Sequence, residues 1–191
     1  AVSTLLKCLK SKRFINDIGK AKAELAAEQL QSRNHSVQVE LYPEGITAEN
    51  AEEILAKFDV IVDASDNFPT RYLLSDTCMK LGKPDVYGAI CEFAGQVTVF
   101  ASDGPCLRCL CPEAEDPSGN PNSAAYGVLG VIPGMIGCMQ AAEVLKLLLG
   151  KGEPLIGKML FIDAKTWSTD LIEVPVHPQC SCHAHTKVHR T

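Results

Sequence analysis

Val60-Ile61-Val62-Asp63-Ala64-Ser65-Asp66-Asn67-Phe68-Pro69-Thr70-Arg71 is the stretch that decides the fold. Its first three residues form a continuous β-branched run, the pattern of a strand covered on both faces. An acidic turn follows at once. Pro69 then opens a helix that reads on to Leu81 and stops at Gly82, with Pro84 beyond. In open α/β sheets ligands gather at the carboxyl ends of strands, which is where this turn falls. A carboxylate there can hold Mg²⁺ against a phosphate, because Mg²⁺ takes a few carboxylates plus phosphate oxygens and water. Asp66 or Asn67 can equally serve only to cap the helix. Arg71, one turn into that helix, can reach a phosphate or pair with a surface carboxylate. The residues alone leave these readings open.

On the N-terminal side, Ile18 to Arg33 predicts an amphipathic helix with Ala23, Leu25, Ala26, Ala27 and Leu30 as its apolar stripe. Val37 to Leu41 alternates as a strand does, and Thr47 can cap a short helix through Lys57, with Ala51, Ile54 and Leu55 inward. On the C-terminal side, Val86 to Ile90 and Gln96 to Phe100 predict two strands joined around Ala94-Gly95. Ser102 to Asn122 reads as a loop and Pro133 to Gly150 as a long helix. Leu160 to Ile162 and Leu171 to Val174 supply a late hairpin. The expected class is α/β, with a mixed sheet that is parallel in its first half and antiparallel in its second.

Two cysteine clusters lie outside these elements: Cys106-Leu107-Arg108-Cys109 and Cys180-Ser181-Cys182, the latter followed by His183. Thiolates suit tetrahedral Zn²⁺, and paired cysteines a few residues apart are the usual structural ligands. The first pair has knuckle spacing. The second is one residue tight, and Cys180 with His183 restores a two-residue gap, so the fourth ligand stays open between Cys182 and His183. Cys111 is a weaker competitor. A shared metal here clamps the tail of the chain onto its centre.

The 191 residues are expected to form a single domain, 1–191, with 46% hydrophobic and 21% charged residues, ordinary for a globular chain. A net charge of −5, from 18 basic and 23 acidic residues, argues against a nucleic-acid partner. Nine cysteines without a secretory signal fit a reducing, cytoplasmic setting. Cys8, Cys78, Cys91 and Cys138 are expected as buried packing residues. Val128 to Gly150 is interrupted by Gly130, Pro133, Gly134 and Gly137 and carries Glu143 and Lys146, so no membrane span is expected.

Taken as a set, the segments resemble the ThiF/MoeB/HesA family of adenylyltransferases. The matching pieces are Asp17-Ile18-Gly19-Lys20-Ala21-Lys22-Ala23, Asp63 to Arg71, Gly95-Gln96-Val97-Thr98-Val99-Phe100 and Cys106 to Cys109. Gly127-Val128-Leu129-Gly130-Val131 with Gln140-Ala141 and the terminal cysteines complete the set. They occur in the family's order across almost the whole chain. The resemblance implies a Rossmann-like sheet and a homodimer. It also implies a reaction, in which Mg·ATP adenylates the C-terminal Gly-Gly carboxylate of a ubiquitin-like sulfur-carrier protein, of the molybdopterin or thiamine biosynthesis type. By position, Lys22 contacts phosphate, Asp66 holds Mg²⁺ as the catalytic acidic residue, and Asn67 and Arg71 belong to the ATP site. Cys106, Cys109, Cys180 and Cys182, with His183 as the alternative, match the ligands of a structural zinc.

The family opens with a strand, a Gly-rich turn and an acidic residue that hold the nucleotide, and the chain starts after them, so it is expected to be N-terminally incomplete. The family's Arg-Gln pair falls near Leu9 and Lys10, so its phosphate-binding arginine is absent; Lys10, Lys12 and Arg13 are expected as generic solvated charges rather than as substitutes. The position of a reactive cysteine in some members falls on Ser123, which argues against a covalent protein–enzyme step. The alternative function is a non-catalytic, zinc-stabilised module that docks a ubiquitin-like or sulfur-carrier protein.

Overall fold

The computed structural model describes residues 21–112 and 127–183. The charged residues Lys10, Lys12 and Arg13, the residues Cys8 and Asp17 to Lys20, and Ser123 lie outside the described residues.

Helix α1, Lys22–Arg33, buries Leu25, Ala26, Ala27 and Leu30 of the expected stripe, while Ala23 is half-buried. After it, Val37 to Leu41 forms no strand. Alternation is only half of a strand signal, because a ladder partner must also be present. Among the described residues β1 is the edge of the sheet, and Val39 instead packs on Ala26 and Leu30. Helix α2, Ala51–Ala56, is shorter than expected and its N-cap is Asn50 rather than Thr47. Asn50 Oδ1 accepts the Thr47 N–H at 2.8 Å, closing a turn that delays the helix. Ala51, Ile54 and Leu55 do face inward.

Strand β1, Ile61–Asp63, leads through the acidic turn into α3, Phe68–Leu81. Both ends of α3 are locally encoded. Asn67 Oδ1 accepts the Thr70 N–H at 2.9 Å, and Gly82 ends the helix in the left-handed conformation at φ 64°. Strands β2, Asp85–Cys91, and β3, Ala94–Phe100, form a hairpin whose turn is Glu92-Phe93, two residues before the expected place. Glu92 takes the positive φ of 47° there, and its carboxylate meets Lys165 Nζ at 2.8 Å. A short helix α4, Leu107–Leu110, sits in the first cysteine cluster. Helix α5, Val131–Leu149, is followed by the hairpin of β4, Lys158–Asp163, and β5, Ser168–Glu173.

Among the described residues five strands run in the order β1-β2-β3-β4-β5. β1 and β2 are parallel, and every later pair is antiparallel, the mixed sheet expected from the sequence. The β-branched run of β1 is covered on both faces. Val60 and Val62 pack with Val86, Val99 and Val144 of α5 on one side; Ile61 packs with Leu55, Leu74 and Cys78 on the other. Each such fully buried aliphatic side chain stabilises the fold by about 1.5–3 kcal/mol.

By length and composition α5 is apolar enough to cross a membrane. In the fold it lies along the sheet, with Ile132, Ile136, Gln140, Glu143 and Val144 buried. Glu143 is satisfied there by the Leu155 N–H at 2.9 Å. Cys78 is buried as expected, but Cys91 and Cys138 are exposed. Cys91 closes β2 where the strand leaves the core, and Cys138 lies on α5 away from its buried residues.

Candidate functional site

The acidic turn is built from below. Asp63 ends β1 with no exposed surface, and its Oδ1 accepts the Ser65 N–H at 2.7 Å and the Ser65 hydroxyl at 2.6 Å. Such an Asx-type turn reverses the chain tightly and keeps its own backbone satisfied. The Ser65 carbonyl accepts from Arg71 Nη2 at 2.7 Å. Arg71 is only 8% exposed and its guanidinium lies 4.6 Å from the centre of the Tyr87 ring. These ties leave Asp66 exposed at the carboxyl end of β1, with the Asn67 amide 3.4 Å from its Oδ1.

Asp66, Asn67 and Arg71 are therefore brought into one turn. Lys22 is exposed at the first residue of α1, a helix whose buried face packs with Val39. The cap and site readings of the turn divide between neighbours: Asn67 caps α3, and Asp66 is left available. Arg71 is committed underneath the turn, not spread on the surface.

A second carboxyl is buried beside the first. Asp85 opens β2 at 1% exposure. Burial raises its pKa well above the ordinary carboxylate range and the Asp63 charge adds to this, while Arg71 opposes. Asp63 Oδ2 and Asp85 Oδ1 both lack a hydrogen-bond partner among the described residues. Burial and the neighbouring carboxylate both favour the protonated form of Asp85.

The cysteine clusters meet. Cys106 Sγ lies 3.8 Å from Cys109 Sγ and 3.5 Å from Cys180 Sγ, across 74 residues of chain in the second case. The ligand atoms of Cys106, Cys109, Cys180 and His183 all lie within 4.8 Å of one another, so this group could hold a metal ion. Four ligands about 2.3 Å from a tetrahedral ion place sulfurs about 3.8 Å apart, so the cluster fits Zn²⁺. Burial pushes the Cys106 thiol well up, and its hydrogen bond to Cys180 adds to this. For Cys180, burial opposes ionisation, but hydrogen bonds from Cys106 and the Cys182 backbone outweigh it and lower its pKa. Burial also lowers His183, toward the neutral imidazole that binds metals.

Cys182, the other alternative for the fourth ligand, stays close to Cys106 and Cys180 and also has a partner outside the cluster. Its thiol donates to Asp76 Oδ1 at 3.3 Å and is pushed up to about 11 by burial and then by that carboxylate. Ser181–His183 winds into one 3-10 turn, which carries His183 beside Cys180. Cys111 is outside the cluster and accepts the Tyr72 hydroxyl on its backbone carbonyl at 2.9 Å.

An outer layer that the sequence reading missed supports the cluster. Arg108 binds both Asp76 oxygens, at 2.9 and 2.8 Å, and lies over the Tyr72 ring. The Leu107 N–H donates to buried Ser75 at 3.2 Å. Asp76, Tyr72 and Ser75 share α3, so the helix leaving the acidic turn also carries the wall of the cluster. The signal available was their spacing on one helix, unreadable without its orientation.

A sequence profile described as the ThiF family matches residues 14–184. The chain is 48% identical to the SAMP-activating enzyme E1 of Haloferax volcanii over 86% of its length, covering 61% of that protein. It is 49% identical to the sulfur carrier protein adenylyltransferase of Thermus thermophilus, again over 86% of its length and 63% of the relative. With the adenylyltransferase and sulfurtransferase MOCS3 of Arabidopsis thaliana the identity is 44%, over 82% of this chain and 34% of that one. The chain thus spans less than two thirds of these relatives. Its fold is similar to that of E. coli MccB crystallised with ATP, at a TM-score of 0.71 and 17% identity over 89% of this chain and 53% of MccB.

Proposed function

The chain belongs to the ThiF family, and from that membership we propose that it carries the acidic turn of an enzyme adenylating the C-terminal glycine carboxylate of a ubiquitin-like sulfur carrier. The observation that carries the proposal is Asp66, exposed on a turn braced by Ser65 and Arg71 at the carboxyl end of β1. High identity to proteins named as carrier-activating and adenylyltransferase enzymes supports the choice of reaction.

The chemistry asks little of the protein beyond placement. The carrier's terminal carboxylate is already an anion and attacks the α-phosphate of ATP, and the bond to pyrophosphate breaks as the acyl-adenylate forms. Rate comes from alignment and from neutralising phosphate charge. Asp66 would hold Mg²⁺ against the phosphates, in keeping with that ion's preference for one or two carboxylates. Lys22 would contact phosphate. Asn67 orders the start of α3, and Arg71 supports the ATP site from beneath. A zinc ion held by Cys106, Cys109, Cys180 and His183 would have no open position, so its part is structural. Leu145, Leu148 and Leu149 stay exposed on α5, which supports a homodimer; a cytoplasmic location belongs to the same proposal.

The test is ATP–pyrophosphate exchange with a carrier ending in Gly-Gly, using this chain and the same chain extended N-terminally along its reading frame. Carrier-dependent exchange by either supports the proposal. Carrier binding without exchange in both leaves a docking module and overturns it.

A further inference from the structure

Gln140 is fully buried in the middle of α5. A primary amide without exposed surface has to find its partners inside the protein. Its Nε2 donates to the carbonyl oxygens of Asp63 and Val86, each at 2.8 Å. Those carbonyls belong to the parallel strands β1 and β2, and Asp63 is the last residue of β1. One amide thus joins the two strands at the point where the chain leaves the sheet for Asp66. Two facing carbonyls also fix the orientation of the amide, since only its nitrogen donates. Gly88 on β2 makes the approach possible, because a Cβ there would lie 2.5 Å from Gln140 Cδ.

Three ties precede Asp66. Ser65 satisfies the Asp63 carboxylate, Arg71 holds the Ser65 carbonyl, and Gln140 holds the Asp63 carbonyl. The first two come from within the β1–α3 unit. Gln140 is the tie that comes from across the sheet.

We propose that Gln140 is a positioning residue for adenylation: acting through the Asp63 carbonyl, it sets the direction in which the turn presents Asp66. The inference rests on the adenylation reading of that turn. Gln140 touches no substrate, and its effect belongs to the rate of the bound complex rather than to nucleotide affinity. A 1 Å misplacement of a reacting group costs about 10²-fold in rate.

The experiment compares Gln140→Leu, which removes the donors at similar volume, with Val144→Ala, which loosens the same helix one turn later without touching a hydrogen bond. Both are made in the exchange-active protein and assayed for kcat and KM of pyrophosphate exchange, melting temperature, and amide hydrogen exchange at residues 64–67. Gln140→Leu is expected to lower kcat about 10–100-fold with KM for ATP within about threefold, and to speed exchange at 64–67. Val144→Ala is expected to lose stability yet keep kcat and protection of the turn. Equal behaviour of the two variants, or wild-type protection at 64–67 in Gln140→Leu, overturns the proposal. If the wild-type protein shows no pyrophosphate exchange, the adenylation reading fails by itself. The hydrogen-exchange comparison then still decides whether Gln140 holds the turn. Gln140→Met takes the place of the leucine variant if that one does not fold.

Discussion

Arg71 Nη2 donates to the Ser65 carbonyl at 2.7 Å from a position beneath the turn, 92% hidden from solvent by the 8% exposure of the residue. An arginine so placed is a brace. Its charge also faces the buried carboxyl of Asp85, whose pKa it holds down against burial and the Asp63 charge. Arg71→Met should therefore cost about 1–3 kcal/mol, because it leaves the Ser65 carbonyl without its donor. Urea denaturation measures this, and a loss below about 0.5 kcal/mol, the size of an ordinary surface change, would contradict the brace.

Asp66 and Asn67, adjacent in sequence, should separate in mutagenesis. Asp66→Asn is expected to cut pyrophosphate exchange by about 10²–10³, the scale of losing one charge-stabilising group, with an unchanged melting temperature. Asn67→Ala should lower stability by about 1 kcal/mol through loss of the cap, whereas Asn67→Asp should restore it. Retained exchange in Asp66→Asn would remove that residue from the reaction.

Asp85 makes a prediction with a definite sign. Its folded pKa is raised, so the folded chain holds the proton more tightly than the unfolded chain does. That contribution is fully present below the ordinary carboxylate pKa of about 4 and is lost as pH rises toward the folded value. Asp85→Asn keeps the neutral shape without the proton. Its melting temperature should match wild type near pH 4 and exceed it near pH 7.5, each kcal/mol gained being worth about 2–4 °C. A constant difference across that range would show that Asp85 ionises freely when buried.

Removing metal from the Cys106–Cys109–Cys180–His183 cluster should lower the melting temperature by roughly 5–15 °C, the shift for a ligand present at about 100–1,000 times its Kd. Co²⁺ substitution reads the ligand set directly. Cys182→Ser should leave Co²⁺ affinity and the sulfur charge-transfer intensity near wild type, and His183→Ala should weaken binding at least about tenfold. The opposite ranking would return Cys182 to the first coordination sphere.

Much of the frame was legible in local chemistry. The β-branched run at Val60 to Val62 needs cover on both faces, and Asn67, Pro69 and Gly82 mark the ends of α3 by capping rules that act within a few residues. The hairpin of β2 and β3 and the knuckle spacing of Cys106 and Cys109 are equally local. Val37 to Leu41 shows the limit of such reading. Its alternation is real, but a strand requires a neighbouring edge, and that neighbour is not a property of the segment. Cys91 and Cys138 failed similarly, since apolar surroundings in sequence do not say which way a side chain points.

The candidate site divides along the same line. The sequence by itself determined the order of strand, acidic turn and helix, the place of Asp66 within it, and the two cysteine clusters, because short-range spacing and residue chemistry carry that information. Only the tertiary structure decided that Asn67 caps, that Arg71 lies beneath the turn and that Asp85 is buried next to Asp63. It alone brought His183 within ligand distance of Cys106, Cys109 and Cys180 and aimed Gln140 at two strand carbonyls. Each of those outcomes depends on which carbonyl, carboxylate or thiol stands within hydrogen-bonding or ligand distance. Between Gln140 and Asp63 that meeting spans 77 residues, and packing of helix on sheet sets it.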